Sequence, residues 1–185
     1  MWPWGHLALG YLVYSAIGRY RRRPRRVVPV VILAVATQLA DLIDKPLAWS
    51  IGVLDAGRSL GHSAIVAGMV VGLIAVIVRS RPGLRAGAFA FGVGHVSHLL
   101  GDIIDTIVTA DLTALAFLWW PFLSIPPADA SRSIIGMFLS MAPTPFFLAQ
   151  LVLTVVATVV WIDDGCPGLA QVGTAVGIDR CERSR

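Results

Sequence analysis

The chain has 185 residues, of which 56% are hydrophobic and 14% are charged, with a formal net charge of +4 and a mean hydropathy of +0.76. Soluble globular domains are roughly 45–50% apolar and about 25% charged, so this composition excludes an ordinary soluble domain. The high apolar fraction also excludes a disordered chain. The composition therefore indicates a polytopic membrane protein, and its 2 cysteines do not form a metal-binding spacing.

Five apolar segments approach the roughly 20 residues that a helix needs to cross the hydrocarbon core of a bilayer. They cover residues 4–17, 27–49, 63–78, 86–108 and 146–162. The sequence predicts an all-α membrane bundle of about five transmembrane helices over residues 1–162, followed by a polar C-terminal tail at residues 163–185.

Two further apolar stretches, residues 112–123 and 133–141, are short and are flanked by prolines, which interrupt helices. We interpret this region as a re-entrant or interfacial segment, with Trp119 and Trp120 at the depth of the lipid headgroups. A continuous kinked helix from Ser133 to Trp161 is the alternative.

Arginines gather in two runs, residues 19–26 and residues 79–85, and each run separates two apolar segments. In a soluble protein such runs would suggest nucleic-acid binding. Between apolar segments the positive-inside rule is the better interpretation, so we expect no nucleic-acid partner. With both runs in the cytoplasm, the N-terminus lies outside and the C-terminus inside, which leaves only Lys45, Arg58 and Arg132 outside. We expect an integral protein of the cell membrane.

Ionisable side chains are costly inside a bilayer, and those found there usually serve a function. On the fourth apolar segment such residues fall within about 80° of arc and form one stripe, which consists of His95, His98, Asp102 and Asp105. Asp41 and Asp44 share a face of the second segment. Histidines and carboxylates at these spacings are typical of helices that present ligands to zinc or to a pair of metal ions.

These residues also lie at one depth in the membrane. At about 1.5 Å per helical residue, the distance from the nearest arginine run is roughly 20–26 Å for His6, Asp41, His62, His98 and Asp102. The convergence predicts a metal site in the outer half of the bilayer. A proton or ion pathway and a purely structural polar cluster are the other interpretations.

Five short motifs follow one another along the chain. They are His6-Leu-Ala-Leu-Gly10, Ala40-Asp-Leu-Ile-Asp-Lys-Pro46, Gly61-His62-Ser63, Gly94 with His98 and Asp102, and Trp120-Pro-Phe122. In this order they resemble the YdjM-like family of membrane-bound metal-dependent hydrolases, which is thought to be distantly similar to the zinc-dependent phospholipase C and nuclease superfamily. The resemblance covers residues 4–122. Ala40 stands where the family has a proline, and Gly57 stands where a histidine is common.

The resemblance implies a metal-dependent hydrolase that acts on a lipid or a lipid-linked phosphate ester. It also implies one or two bound divalent ions, of which Zn²⁺ is the expected one. The metal ligands are expected among His6, Asp41, His62, His95, His98 and Asp102. Asp44 or Asp105 is expected to act as general base. Lys45 and Arg58 are expected to hold the substrate phosphate, and membrane lipids are the remaining expected partners.

Two other functions stay open at this point. A transporter for divalent ions or protons would use the same histidines and aspartates as a pathway. It would also need polar residues towards the cytoplasm, whereas residues 27–36, 66–78 and 86–93 are apolar. This pattern favours a site that opens on one side only. The third possibility is a membrane protein that binds metal or lipid without catalysis.

Overall fold

A computed structural model describes residues 1–125 and 133–169. Its α-helices are Pro3–Tyr20 (α1), Val27–Pro46 (α2), Ala64–Ile77 (α3), Arg85–Val108 (α4), Ile134–Leu139 (α5) and Pro145–Asp163 (α6). The described residues contain no strand, which confirms the all-α prediction for this part of the chain. Arg132 and residues 170–185, which include most of the predicted tail, lie outside the described residues.

Two segments of the chain form irregular helices and not α-helices. A π-helix, Leu47–Ile51, extends α2 beyond Pro46, and a 3₁₀-helix spans Leu112–Trp119. Helix α5 ends at Leu139 and α6 begins at Pro145, so the alternative of one continuous helix over this region is wrong. Pro143 and Pro145 account for the interruption, because neither can donate a backbone hydrogen bond.

Three helical segments in the described part are long and apolar enough to cross a membrane: Val27–Ile51, Pro82–Val108 and Pro145–Asp163. The segment Ala64–Ser80 is apolar but shorter. The outer faces of these helices suit lipid, since Val152, Val155 and Val159 of α6 are each at least 60% exposed. A bundle of five membrane-spanning helices stays a prediction.

The most extensive helix contact joins α2 to α4, and it depends on a glycine. A Cβ atom at Gly94 would lie 2.7 Å from the carbonyl oxygen of Leu33 and 2.9 Å from the Cβ of Ala36. Only glycine allows the two backbones to approach this closely. The contact sets the position of α4 against α2, and the next turn of α4 carries His98.

An apolar core separates the two ends of the bundle. It consists of Tyr11, Tyr14, Val30, Leu33 and Ala90, which are all at most 8% exposed. On α1, α2 and α4 these residues lie between the arginine runs and the level of the predicted metal ligands. The core therefore closes the space between the ligands and the arginine-rich end.

The end of α6 is tied to α1 by a buried carboxylate. Asp164 accepts a hydrogen bond from the hydroxyl of Tyr11 at 2.9 Å and another from the hydroxyl of Ser15. The guanidinium of Arg19 lies 2.9 Å from the same carboxylate. These contacts fix the arginine-rich end of the bundle.

We expect Gly94→Ala to lower the free energy of unfolding by about 1–3 kcal/mol, because the added methyl group overpacks the contact between α2 and α4. Gly92→Ala is the matched control on the same helix, since its Cβ would meet only Val71, at 3.6 Å. We expect the control to change stability by less than about 0.5 kcal/mol or to stabilise the helix. Thermal unfolding in detergent measures both, and equal Tm values for the two variants would contradict the packing account.

Candidate metal centre

The structure brings five of the six predicted metal ligands together in one buried cluster. They come from α1, α2, the loop before α3, and α4, and they are His6, Asp41, His62, His98 and Asp102. None of their side chains is more than 10% exposed. We refer to these five residues as the His/Asp cluster.

The backbone of α2 fixes the ring of His98. Its Nδ1 atom donates a hydrogen bond to the carbonyl oxygen of Thr37 at 2.7 Å. Because a carbonyl oxygen can only accept, the proton of the neutral ring is placed on Nδ1. The Nε2 atom therefore presents a lone pair to the centre of the cluster.

His62 is held in the same way by a carboxylate. Its Nδ1 atom donates to Oδ2 of Asp44 at 2.7 Å, in a pair that is fully buried on both sides. The Nε2 atom again faces the cluster. A carboxylate or carbonyl behind the ring is the arrangement that usually orients metal-binding histidines.

The two Nε2 atoms, of His62 and His98, lie 3.1 Å apart. Two neutral imidazole nitrogens that both carry lone pairs repel each other, so this approach needs a cation or a shared proton between them. Two carboxylate oxygens complete the group. Oδ1 of Asp41 lies 3.3 Å from Nε2 of His62 and 4.0 Å from Nε2 of His98. Oδ2 of Asp102 lies 3.2 Å from Nε2 of His62 and 3.8 Å from Nε2 of His98.

Three of these five separations, of 3.1–3.3 Å, match those around a tetrahedral ion, and the two between a carboxylate and His98, of 3.8 and 4.0 Å, are longer. With zinc–ligand bonds of roughly 2.0–2.2 Å, the donor atoms of a tetrahedral site lie about 3.3 Å from one another. The donor set of two imidazole nitrogens and two carboxylate oxygens is also one that zinc accepts. The cluster can therefore hold a divalent metal ion without a large rearrangement.

Unsatisfied polar atoms in the cluster point to the same conclusion. Neither ring nitrogen of His6 has a hydrogen-bond partner. The His6 ring is fully buried, stacks on the ring of His98 with centroids 3.8 Å apart, and places Nε2 3.4 Å from Oδ1 of Asp102. Since buried polar groups are nearly always satisfied, the His6 nitrogen that carries the lone pair requires a further partner, and a metal ion can supply it.

Asp44 organises the loop that carries His62. Besides the ring of His62, its carboxylate accepts the backbone N–H groups of Ser59 at 2.7 Å, Gly61 at 2.8 Å and His62 at 3.3 Å. A Cβ atom at Gly61 would lie 2.8 Å from the Cα of Ala40, so glycine lets this loop pack against α2. The four contacts give Asp44 a positioning role.

Three cations lie against the carboxylates. The amino group of Met1 is 2.7 Å from Oδ1 of Asp102 and 3.6 Å from Oδ2 of Asp105. Lys45 Nζ is 2.6 Å from Oδ2 of Asp41. Arg58 places Nε 3.1 Å from Oδ2 of Asp102 and Nη2 2.8 Å from Oδ2 of Asp105. Lys45, Arg58 and Asp105 all line a large cavity next to the cluster, so they stand between the buried donors and the opening.

Neighbouring carboxylates raise the pKa values of two residues in the loop before α3, His62 and Arg58. Burial alone would lower the pKa of His62, but the neighbouring Asp102, Asp41 and Asp44 outweigh it and raise this pKa to about 10. Burial likewise opposes the charge of Arg58, whose pKa is nevertheless raised by Asp102 and Asp105. The carboxylates therefore attract positive charge to this point, whether as a proton or as a metal ion.

His95 is the sixth predicted ligand, and neither group of potential ligands includes it. Its ring stacks on Phe91 with centroids 6.0 Å apart, and its Nδ1 atom has no hydrogen-bond partner in the described structure. A role of His95 as a ligand stays a prediction.

Sequence reasoning singled out Asp44 but missed the carbonyl oxygen of Thr37, which orients the ring of His98. That carbonyl has no signature in a sequence, and neither do the backbone N–H groups of Ser59, Gly61 and His62. The adjoining cavity, with a volume of about 1120 Å³, was equally invisible. Its walls combine charged residues with aromatic rings, among them Trp49, Phe117 and Phe147.

The comparisons with known proteins agree with the motifs. The family model described as YdjM inner membrane protein matches residues 1–174. The chain belongs to the YdjM inner membrane protein family. No curated protein and no solved structure matches the chain significantly. Membership confirms the YdjM family named from the sequence, whereas the link to metal-dependent hydrolases stays a prediction. Together with the apolar helices, it supports a location in the membrane.

We expect Asp44→Asn to destabilise the fold by about 1–3 kcal/mol, because the amide group brings N–H donors towards the backbone donors that the carboxylate now satisfies. The affinity for zinc should fall by roughly 10–100-fold, as His62 loses its orienting partner. Chemical unfolding and zinc titration measure the two effects. Asp55→Asn, an exposed position on the same loop, is the control. If both variants bound zinc equally well, Asp44 would not position His62.

Proposed function

We propose that this YdjM-family protein is a membrane-embedded metal-dependent hydrolase that cleaves a phosphate ester of a lipid or lipid-linked substrate. The observation that carries the proposal is the pair of Nε2 atoms of His62 and His98, 3.1 Å apart among carboxylates and beside a large cavity. The match to the YdjM inner membrane protein family supports the location in the membrane, and the residues of the site support the chemistry.

One Zn²⁺ ion is the metal that the donor set favours. It would be held by His62, His98, Asp41 and Asp102, with His6 as a further donor. The two groups of potential ligands share His98, and its Nε2 atom has a single lone pair, so it serves one ion. When bound, such an ion supplies Lewis acidity and makes water nucleophilic near neutral pH.

The residues at the edge of the cavity take the remaining roles. Lys45 and Arg58 bind and orient the phosphate group of the substrate, since both are cations that line the cavity and touch the cluster. Asp105 accepts a proton from the attacking water, because it lines the cavity and its side chain is 25% exposed. Asp44 is fully buried and has its acceptor positions occupied, so it serves the loop and not the water.

The cavity favours an amphiphilic substrate. Lys45 and Arg58 form a charged region on its wall, and aromatic side chains such as Trp49, Phe117 and Phe146 provide apolar surface. A phosphate group next to the cations and an acyl or prenyl chain along the aromatic side chains would match both parts. This is the reason for choosing a lipid-linked substrate over a soluble one.

The apolar core argues against a transporter. On the three helices that carry most of the His/Asp cluster, the path towards the arginine-rich end passes Tyr11, Val30, Leu33 and Ala90. Ions and protons need a continuous series of polar groups, and this core interrupts it. The geometry therefore favours an enzyme that is open on the cavity side.

We expect the purified wild-type protein to retain about one zinc ion per chain, and His98→Ala and Asp102→Asn to lose most of it. Each change removes one donor from the cluster, and Asp102→Asn does so with little change in volume. Leu100→Ala is the control on the same helix, where the side chain is 46% exposed. Metal analysis by mass spectrometry measures the content, and full occupancy in both ligand variants would place the metal elsewhere.

We expect the zinc-loaded protein in mixed micelles to hydrolyse at least one member of a panel of phosphatidic acid, phosphatidylglycerol and polyprenyl phosphates. Asp105→Asn should lower the rate by roughly 10²–10⁴-fold while zinc stays bound, because it removes the proposed general base and leaves the metal ligands in place. Mass spectrometry of the products measures the rate, with Asp55→Asn as the control. A protein that binds zinc and hydrolyses none of these substrates would favour the non-catalytic alternative.

The orientation in the membrane also belongs to this proposal. We propose that the arginine runs face the cytoplasm and that the cavity faces the outside. An epitope inserted between Arg81 and Pro82 should react with antibody only after the membrane is permeabilised. An epitope inserted at Gly52, an exposed position between α2 and α3, should react in spheroplasts without permeabilisation. The reverse pattern would invert the topology.

A further inference from the structure

A second cavity lies at the opposite end of the bundle. It has a volume of about 280 Å³ and is enclosed by the end of α1, the turn that follows it, and the first turns of α2 and α4. Four arginines line it: Arg21, Arg23, Arg25 and Arg26. The other walls are largely apolar and include Ile17, Pro29 and Phe89. The volume is close to the lower end of ligand pockets, roughly 300 Å³.

The positive charge around this cavity is only partly neutralised. Arg25 lies 3.4 Å from Asp164, and that carboxylate is shared with Arg19. Within the described residues, no carboxylate lies within ion-pair distance of Arg21, Arg23 or Arg26. Arg21 lies over the ring of Phe89, 5.5 Å from its centroid. The cavity is therefore surrounded by more guanidinium groups than the nearby acids can pair.

Protein contacts hold Arg25 at the wall of this cavity. Its Nη2 atom donates to the carbonyl oxygen of Ser15 at 3.1 Å, and its buried Nε atom lies 3.4 Å from Oδ1 of Asp164. The guanidinium is therefore fixed in position beside the cavity.

The helices that begin here add to the attraction for an anion. Neither α2 nor α4 has a side-chain cap or an acidic residue in its first turn. Pro29 of α2 and Ala86 of α4 both line the cavity, which places the positive ends of two helix dipoles next to it.

We propose that this cavity binds the phosphate headgroup of an anionic phospholipid from the adjoining leaflet. Arginine pairs with phosphate through two parallel hydrogen bonds, and basic pockets between membrane helices are suited to anionic headgroups. The apolar wall accommodates the beginning of the acyl chains. The site is separated from the His/Asp cluster by the apolar core, so it does not depend on the proposed hydrolase activity.

The test uses the full chain in nanodiscs that contain equal amounts of phosphatidylglycerol and phosphatidylcholine, followed by native mass spectrometry of the lipids that stay bound. Two variants change the cavity. Arg21→Gln/Arg23→Gln removes charge, and Ala86→Phe fills the space while all arginines stay. Arg79→Gln/Arg81→Gln is the matched control, because it removes two exposed arginines of the other run.

We expect the wild type and the control to retain phosphatidylglycerol in preference to phosphatidylcholine. The double glutamine variant should bind it roughly 25-fold more weakly, at about 5-fold for each arginine. Ala86→Phe should lose the preference as well, and because Ala86 is exposed this variant is expected to fold even if the charge variant does not.

Four results would overturn the proposal. Equal retention of the two lipids by the wild type would exclude a specific headgroup site. An equal loss in the control, or an unchanged preference in Ala86→Phe, would assign the effect to general surface charge. Displacement of phosphatidylglycerol by an equal concentration of glycerol 3-phosphate would identify a soluble phosphate as the occupant.

Discussion

The close approach of the two imidazole nitrogens, on His62 and His98, is the constraint on which the account depends. Each ring is fixed from behind, one by the carboxylate of Asp44 and the other by the carbonyl oxygen of Thr37. The rings are therefore not free to turn away from each other, and the repulsion of their lone pairs needs a positive charge. The carboxylates of Asp41 and Asp102 concentrate that charge at the same point.

Two close backbone contacts bring the elements that carry and orient these rings together. Gly94 brings α4 close to α2, so that the carbonyl of Thr37 reaches His98. Gly61 brings the loop before α3 onto α2, where Asp44 collects its backbone donors. The apolar core lies on one side of the cluster, and the cavity lined by Lys45, Arg58 and Asp105 lies next to its carboxylates. We propose that a substrate from the membrane surface approaches the cluster from this cavity.

Much of this fold was predictable because long apolar segments between arginine runs leave the chain few alternatives. The predicted segments at residues 27–49 and 86–108 differ from the helical spans of the structure by only a few residues. The short region after residue 112 was predictable only as an interruption, since its prolines exclude a long helix but do not determine what replaces it.

The candidate site was predictable in part, and for a physical reason. Depth in the membrane selected His6, Asp41, His62, His98 and Asp102, because residues at one level of a bundle meet at its centre. The stripe on the fourth segment alone did not separate His95 from His98, because both lie in one arc of an isolated helix although they pack against different neighbours. The pairing of Arg58 with Asp102 and Asp105 depends on the loop of residues 52–63, whose sequence has no periodicity from which to predict its path.

The central claim is that a metal ion lies between His62 and His98. The most direct test is a crystal structure of the zinc-loaded protein, with anomalous diffraction recorded on both sides of the zinc absorption edge. We expect one strong anomalous peak about 2 Å from the Nε2 atoms of both histidines, next to Asp41 and Asp102. A difference map without a peak there, at saturating zinc and with the rings well ordered, would contradict it.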